Sequence, residues 1–182
     1  MERQHGPWKI RHSNLKYRNE FLELRKDRVL RPDGEPGTYA MVELKPGVCV
    51  LALDDEDQVH RVRQFRYALG SESLEAVAGA RAPDEDAQAA AARELREELG
   101  AESERWTDLG ALDLDTSIVH SPVRLFLAHG LRFGQPEREG TETMQSVRLP
   151  LQEAVQRVLR SEITHAATAV LVLKAAHALQ QA

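Results

Sequence analysis

The 182-residue sequence lacks the features of disulfide-bonded, membrane-spanning and exported proteins. The sequence has a single cysteine, Cys49, which excludes an internal disulfide. Because Cys49 lies in the apolar run 48–53, we expect a buried small side chain and not a nucleophile. No apolar run approaches the length of a membrane span, and the first residues lack the apolar segment of an export signal. The sequence therefore predicts a cytoplasmic protein with no membrane partner.

An excess of positive charge is also missing. The chain has 24 Lys and Arg against 29 Asp and Glu, a formal net charge of −5, and the two signs are interspersed. This distribution is not typical of a nucleic-acid-binding surface. A small polyanionic substrate would need a local positive charge or a metal ion. There is no internal repeat or low-complexity linker, and the length suits one domain.

The densest concentration of chemically active side chains lies in residues 79–101. Glu94, Glu97 and Glu98 follow Arg93 in a segment rich in Ala and Leu, a composition that favours a helix. In a helix Glu98 lies one turn after Glu94, and like charges at this spacing repel. A hard divalent cation such as Mg²⁺ would compensate for the repulsion, since it binds carboxylate oxygens together with water and substrate phosphates.

The flanking residues support this helix. Asp84 or Asp86 can cap its N-terminus, and Gly100 stands where a left-handed C-cap is expected. Arg93 projects about 40° from Glu97 around the helix, near enough to bind that carboxylate and orient it.

The spacing of these residues resembles the Nudix box. The matching positions are Gly79, Glu85, Arg93-Glu94-Leu95, Glu97-Glu98 and Gly100. Ala101 stands where the box usually has a larger aliphatic residue. Because so many positions match at fixed spacing, the segment identifies the chain as a member of the Nudix hydrolase family.

The resemblance implies an α/β (α+β) fold of the Nudix type, with a mixed β-sheet sandwiched between helices and an N-terminal antiparallel hairpin or sheet extension. On this basis residues 1–44 would be N-terminal strands that form a dimerisation extension, and residues 45–182 would be the Nudix domain. A homodimer is expected by the same resemblance.

The resemblance also assigns roles to individual residues. The metal, Mg²⁺ with Mn²⁺ able to substitute, would be bound by Glu94, Glu98, Glu97 and the backbone carbonyl of Ala78. Glu97 would assist as a ligand or as the base, Arg93 would orient the acids, and Glu85 would support the preceding loop. The family reaction is attack of water on a phosphorus of a nucleoside diphosphate linked to another group.

A narrower resemblance lies before the box. Residues 64–67, Gln-Phe-Arg-Tyr, and residues 74–79, Leu-Glu-Ala-Val-Ala-Gly, resemble a stretch of ADP-ribose and nucleotide-sugar pyrophosphatases, although Val77 replaces the usual proline. It implies that Arg66 binds the diphosphate side of the substrate and that Glu75 lies near the metal centre. Glu142, on a later loop, matches the position of the catalytic base. Arg66 as an exposed strand charge and Glu142 as an ordinary loop acid remain alternatives, and the base is either Glu97 or Glu142.

These resemblances predict hydrolysis of the pyrophosphate bond of ADP-ribose or a related nucleotide sugar, giving a nucleoside monophosphate and a sugar phosphate. The loop 115–122 lacks the Pro-Gly pair common in ADP-ribose pyrophosphatases, which leaves the sugar open. The alternatives are a hydrolase of a dinucleotide, a coenzyme or a nucleoside triphosphate, and a Nudix module that binds a nucleotide without turnover.

Hydrophobic patterning predicts the remaining elements. Residues 1–7 are expected to form a loose arm, and residues 21–24, 27–30 and 38–44 to form strands with a hairpin turn at 32–37. Further strands are predicted at 48–53, 59–67, 74–77, 106–114, 122–128 and 147–149. Two closing helices are predicted at 151–159 and 164–180.

Overall fold

The computed structural model describes residues 2–82, 84–135 and 144–181. Its strands are β1 (Arg3–His5), β2 (Trp8–Arg18), β3 (Leu22–Leu30), β4 (Pro36–Leu44), β5 (Gly47–Leu53), β6 (Gln58–Arg66), β7 (Ser71–Glu75), β8 (Val77–Ala80), β9 (Ala101–Asp113), β10 (Val119–His120), β11 (Pro122–Phe133) and β12 (Gln145–Pro150). Its helices are α1 (Ala87–Leu99), α2 (Leu151–Leu159) and α3 (Ala166–Gln180). The chain forms two compact units, one from the residues up to Lys45 with Asp113–Ser121 and the other from Pro46–Leu112 with Pro122–Ala182.

The first unit is a sheet with the strand order β1-β2-β3-β4-β10. The hairpin expected near the N-terminus is present as β3 and β4, which pair antiparallel from Leu22 opposite Leu44 to Leu30 opposite Pro36. Strand β10 joins the edge parallel to β4. The hydroxyl of Tyr39 donates a hydrogen bond to the carbonyl of Ser117, which ties the segment before β10 to this sheet.

Three expectations for this unit were wrong. Residues 1–7 are not a loose arm throughout, because Arg3–His5 pairs with β2. The two short strands expected at 21–24 and 27–30 are one strand, β3. The segment expected to be a loop at 115–122 contains β10. Each error concerns pairing between strands, which local patterning does not contain.

The second unit is built on a mixed sheet with the order β12-β6-β5-β11-β9. Strand β7 pairs with β6 and strand β8 pairs with β5, both antiparallel. Strands β5 and β11 run parallel, which requires the long crossover that contains α1.

Helices cover both faces of this sheet, so the predicted sandwich is confirmed. Side chains of β5 alternate between the two faces: Cys49, Leu51 and Leu53 pack with α2 and α3, whereas Val48, Val50 and Ala52 pack with α1. Burial on both faces explains why this strand is a continuous apolar run. Cys49 is fully buried, as expected, and burial raises the pKa of its thiol to about 12.

Capping residues define both ends of helix α1. The side chain of Asp86, not Asp84, accepts hydrogen bonds from the backbone N–H groups of Gln88 and Ala89 at 2.9 and 3.0 Å. Gly100 ends the helix in the left-handed conformation, with φ of 64°. Helix α2 has the predicted limits, and α3 begins at Ala166, two residues later than predicted. Within the described part of the chain, none of the helices has the length and apolarity that crossing a membrane would require.

Candidate active site

Arg93 is the centre of a polar cluster on α1. Its Nε donates to Glu85 Oε1 at 3.1 Å, and its Nη1 donates to Glu94 Oε1 at 2.7 Å and to Glu97 Oε2 at 3.1 Å. Its Nη2 donates to the backbone carbonyl of Ala80 at 3.1 Å. The hydrogen bond to Glu85 is the main reason that the pKa of Arg93 is raised above its ordinary value. One guanidinium therefore fixes three acids against each other and against the end of β8.

The loop before α1 is shaped by the same acid that contacts Arg93. Glu85 Oε2 accepts the backbone N–H of Ala82 at 3.1 Å, and the carbonyl of Glu85 accepts Arg81 Nη1 at 2.6 Å. The loop thus presents Glu85 to Arg93 before the helix begins. This arrangement agrees with the supporting position expected for Glu85.

Gly79 on β8 lies directly against the carboxylate of Glu94. A Cβ atom on residue 79 would lie 2.0 Å from the carboxyl carbon of Glu94, so only glycine leaves room for this acid. The neighbouring Ala78 lies opposite Cys49 in the β5–β8 pairing. Glu98, one turn after Glu94, is buried with 7% exposure. The structure thus brings the predicted ligands Glu94, Glu97 and Glu98 together on one helix that packs on β8.

The donor set is suited to a hard divalent cation. Glu94, Glu97 and Glu98 offer carboxylate oxygens. The carboxylate of Glu94 occupies the space that a side chain at residue 79 would fill. Among residues 2–82, 84–135 and 144–181, no three acidic, His or Cys side chains form a ready-made metal-binding group. Carboxylate oxygens are the ligands that hard divalent cations take, so the residues of this helix fit such a metal.

A second polar cluster is formed by the last residues of two strands, Arg66 of β6 and Glu75 of β7. Arg66 Nε donates to Glu75 Oε1 at 3.0 Å and its Nη2 donates to Oε2 at 2.5 Å. The Glu75 side chain is 2% exposed and that of Arg66 is 40% exposed. Burial by itself raises the pKa of Glu75, but the hydrogen bonds from Arg66 and Ser73 and the nearby His165 together hold it below its ordinary value.

Sequence analysis did not identify two members of this second cluster, His165 and Thr168. His165 Nδ1 lies 2.8 Å from Thr168 Oγ1 and 3.6 Å from Glu75 Oε2. Thr168 Oγ1 also accepts the backbone N–H of Ala76 at 2.9 Å. Sequence patterning could not have found the contacts with Glu75 and Ala76, because they join residues about ninety positions apart. The predicted base Glu142 lies outside the described residues.

Comparison with known proteins identifies the family of this arrangement. The chain matches the NUDIX domain over residues 43–170. It belongs to the Nudix family. The residues ahead of this Nudix domain, 8–42, match the nucleoside diphosphate sugar hydrolase N-terminal domain. The family resemblance inferred from the box is therefore confirmed, and this Nudix protein is a hydrolase.

Relatives of this Nudix hydrolase are found among bacterial proteins. An ADP-ribose pyrophosphatase of Mycobacterium tuberculosis is 37% identical over 162 residues, which cover 87% of this chain and 78% of that protein. An ADP-ribose pyrophosphatase of Bacillus subtilis is 29% identical over 158 residues, 86% of this chain and 85% of that protein. A crystal structure described as an ADP compounds hydrolase superposes with a TM-score of 0.83 at 21% identity, covering 94% of both chains. This last likeness confirms the fold.

Proposed function

We propose that this chain hydrolyses the pyrophosphate bond of ADP-ribose or a related nucleotide sugar, with Mg²⁺ or Mn²⁺, to a nucleoside monophosphate and a sugar phosphate. The observation that carries the proposal is the cluster in which Arg93 holds Glu85, Glu94 and Glu97 beside Gly79. The match to a nucleoside diphosphate sugar hydrolase N-terminal domain and the names of the two bacterial relatives support the choice of substrate.

The metal would be held by Glu94 and Glu98, with Glu97 and the carbonyl of Ala78 as further ligands. When bound, it would neutralise charge on the diphosphate and make a water molecule more acidic. The metal would thus supply the local positive charge that a polyanionic substrate requires on a protein whose net charge is −5.

The chain's own residues orient the reactants. Arg93 takes one oxygen of Glu94 and one of Glu97, which fixes the rotation of both carboxylates. Arg66, held by Glu75, would bind the diphosphate. Glu97 or Glu142 would accept the proton of the attacking water as the new oxygen–phosphorus bond forms, the bridging bond breaks and the leaving phosphate carries away the electron pair.

The quaternary structure is part of the proposal. We expect a homodimer in which the N-terminal strands within residues 1–44 form the interface. The first unit supports this expectation because large apolar side chains are exposed on it, namely Leu15, Tyr17, Phe21, Tyr39, Leu114 and Ile118. Sedimentation at micromolar concentration should give twice the chain mass of 20.4 kDa.

A pair of variants tests the interface. Tyr17→Glu should shift the sedimenting species toward the monomer, because it places a charge in the apolar surface. Leu159→Glu changes an apolar side chain of α2 that is similarly exposed and should leave the dimer intact. A wild-type protein that sediments as a monomer would exclude the dimer.

The activity is tested with a substrate panel. ADP-ribose, UDP- and GDP-sugars, dinucleotides, coenzymes and nucleoside triphosphates are incubated with Mg²⁺ or Mn²⁺, and the products are separated by chromatography. ADP-ribose or a nucleotide sugar should be hydrolysed faster than the rest. Preference for another group would move the proposal to that substrate class within the same family.

A variant of the helix separates catalysis from binding. Glu98→Gln should lower kcat by at least about a hundredfold, because a metal contribution of several kcal/mol depends on the carboxylates. Glu102→Gln, at an exposed acid just beyond the helix, should keep full activity. Hydrolysis that survives in Glu98→Gln would contradict the mechanism. Nucleotide binding without any turnover by the wild type would point to a binding module.

A further inference from the structure

Helix α3 contacts the Arg66–Glu75 pair through its first turn. His165 is the N-cap residue of α3, and its Nδ1 lies between Thr168 Oγ1, at 2.8 Å, and Glu75 Oε2, at 3.6 Å. Thr168 is completely buried and also accepts the N–H of Ala76, the residue that links β7 to β8. The start of α3 is therefore attached to the chain at the two residues Glu75 and Ala76.

Glu75 needs more than one partner to stay charged in this position. Its side chain is 2% exposed, and a buried carboxylate is stable only when most of its oxygen lone pairs are occupied by donors. Arg66 occupies both oxygens from one side. His165 Nδ1 lies 3.6 Å from Oε2, the same oxygen that accepts Arg66 Nη2, and Ser73 also hydrogen-bonds to this carboxylate. Contacts with Arg66, His165 and Ser73 thus define the position of the carboxylate, and with it the direction of the guanidinium.

Arg66 links this buried arrangement to the surface. Its guanidinium edge formed by Nε and Nη2 faces Glu75, while 40% of the side chain is exposed. A guanidinium has five N–H donors in a rigid plane, so fixing one edge fixes the direction of the whole group. A shift in Glu75 would therefore turn Arg66.

We propose that His165, seated on Thr168, is a positioning residue for substrate binding that holds Glu75 and, through it, aims Arg66 at the diphosphate of the nucleotide substrate. The inference rests on the proposed function and assigns a task to a side chain more than sixty residues beyond the Nudix box. It concerns binding of the nucleoside diphosphate group, not the chemical step.

Two substitutions at residue 165 separate positioning from folding. Serine and asparagine both cap helices well, so neither should weaken α3. The amide nitrogen of asparagine reaches the place of Nδ1 and can donate to both Thr168 and Glu75, whereas the serine hydroxyl is too short to reach Glu75. His165→Ser should raise KM by up to about tenfold with kcat within about twofold, because it removes the ring nitrogen that lies 3.6 Å from Glu75 Oε2. His165→Asn should restore a KM close to that of the wild type.

A double variant tests whether the effect passes through Glu75. If His165 acts by holding this carboxylate, KM of the double variant Glu75→Gln, His165→Ser should equal that of Glu75→Gln alone. KM values that multiply independently would overturn the inference. Melting temperatures of all variants, measured alongside, show whether a raised KM comes from a loss of folded protein.

The outcomes distinguish this inference from the proposed function. An active wild type with the same KM in His165→Ser would overturn the inference and leave the function standing. A raised KM in both the Ser and the Asn variants would also overturn it, because the contact to Glu75 would then not be the cause. A wild type that hydrolyses no nucleotide sugar would overturn the function, and the inference with it.

Discussion

The acids around Arg93 and the buried Glu75 all carry negative charge that must be compensated by nearby donors. The contacts that compensate it are short in sequence around Arg93 and partly long-range around Glu75. All the acceptors of Arg93 lie within 13 residues of it, and its side chain is 34% exposed. The Glu75 cluster includes contacts from α3 that span about ninety residues, and its carboxylate is 2% exposed. Water screens the acids around Arg93 more than the buried Glu75 carboxylate, although Arg66 in the second cluster is itself 40% exposed. Changes around Arg93 should therefore reduce activity more than stability, whereas changes around Glu75 should reduce both.

Among changes to the Arg93 cluster, Arg93→Lys should reduce activity most. A lysine keeps the charge but cannot hold Glu85, Glu94, Glu97 and the Ala80 carbonyl at once, because its donors come from a single nitrogen. We expect kcat/KM for the preferred substrate to fall at least about a hundredfold, since small misplacements of reacting groups cost that much. The free energy of unfolding should fall by only about 1 kcal/mol.

Arg157→Lys is the matched control for that change. Arg157 pairs with Glu153 one turn away on α2, a half-buried pair whose arginine is as exposed as Arg93. Its replacement should leave kcat/KM unchanged. Equal losses of activity in both variants would show that the Arg93 contacts do not orient reacting groups.

A second variant of the first cluster, Gly79→Ala, separates activity from stability more sharply. The added Cβ would lie 2.0 Å from the Glu94 carboxyl carbon, and the end of that flexible side chain can move away at little cost to folding. We expect kcat/KM to fall by about a hundredfold with little change in the melting temperature. Gly134→Ala is the control, because its Cβ would make an ordinary contact of 3.6 Å. A fully active Gly79→Ala would show that the position of Glu94 is not critical.

Thr168→Val tests the long-range cluster. The change keeps the shape of the side chain but leaves the buried N–H of Ala76 without its acceptor and one nitrogen of His165 without its hydrogen-bond partner. We expect the free energy of unfolding in urea to fall by about 2 kcal/mol. Thr107→Val, at an exposed residue of β9, should change it by less than about 0.5 kcal/mol. A stable Thr168→Val would mean that α3 is not anchored by this hydroxyl.

Asp54 combines local and long-range contacts, and its replacement should affect stability but not activity. His60 Nε2 lies 2.8 Å from Asp54 Oδ2, and Arg148, 94 residues away, donates to the same oxygen at 2.9 Å. Burial by itself raises the pKa of Asp54, but these hydrogen bonds and those from backbone N–H groups hold it at about 2, below the ordinary 3.8. The stability that this carboxylate contributes is complete above about pH 4 and is lost as the pH falls toward 2.

The corresponding variant is Asp54→Asn. One pKa unit corresponds to about 1.4 kcal/mol, so the change should cost about 2 kcal/mol of unfolding free energy at pH 7. The difference from the wild type should shrink between pH 4 and pH 2 in denaturant titrations. Glu56→Gln, at the 77% exposed acid that also pairs with Arg148, should cost less than about 0.5 kcal/mol at any pH. A difference for Asp54→Asn that is independent of pH would exclude the assigned cause.

Prediction from the sequence was most accurate where the forces are local. The capping acid and Gly100 set the limits of α1 within the predicted segment, and α2 occupies residues 151–159 as predicted. Strand β5 was found because burial on both faces leaves a continuous apolar run. Prediction was less accurate for the first unit, since β2 is largely exposed and polar, β3 is mostly only half-buried, and their pairing has little hydrophobic pattern to reveal it.

The sequence by itself determined the family, the sandwich of sheet and helices, and the one-sided cluster of acids on α1, because helix periodicity and capping operate within a few residues. The roles of the individual acids stay predictions for the experiments above. Only the tertiary structure decided that Glu94 lies on Gly79 and that His165 and Thr168 of α3 meet Glu75 and Ala76. The physical reason is that these contacts form only when strands and helices pack against each other, and local sequence patterns do not specify that packing.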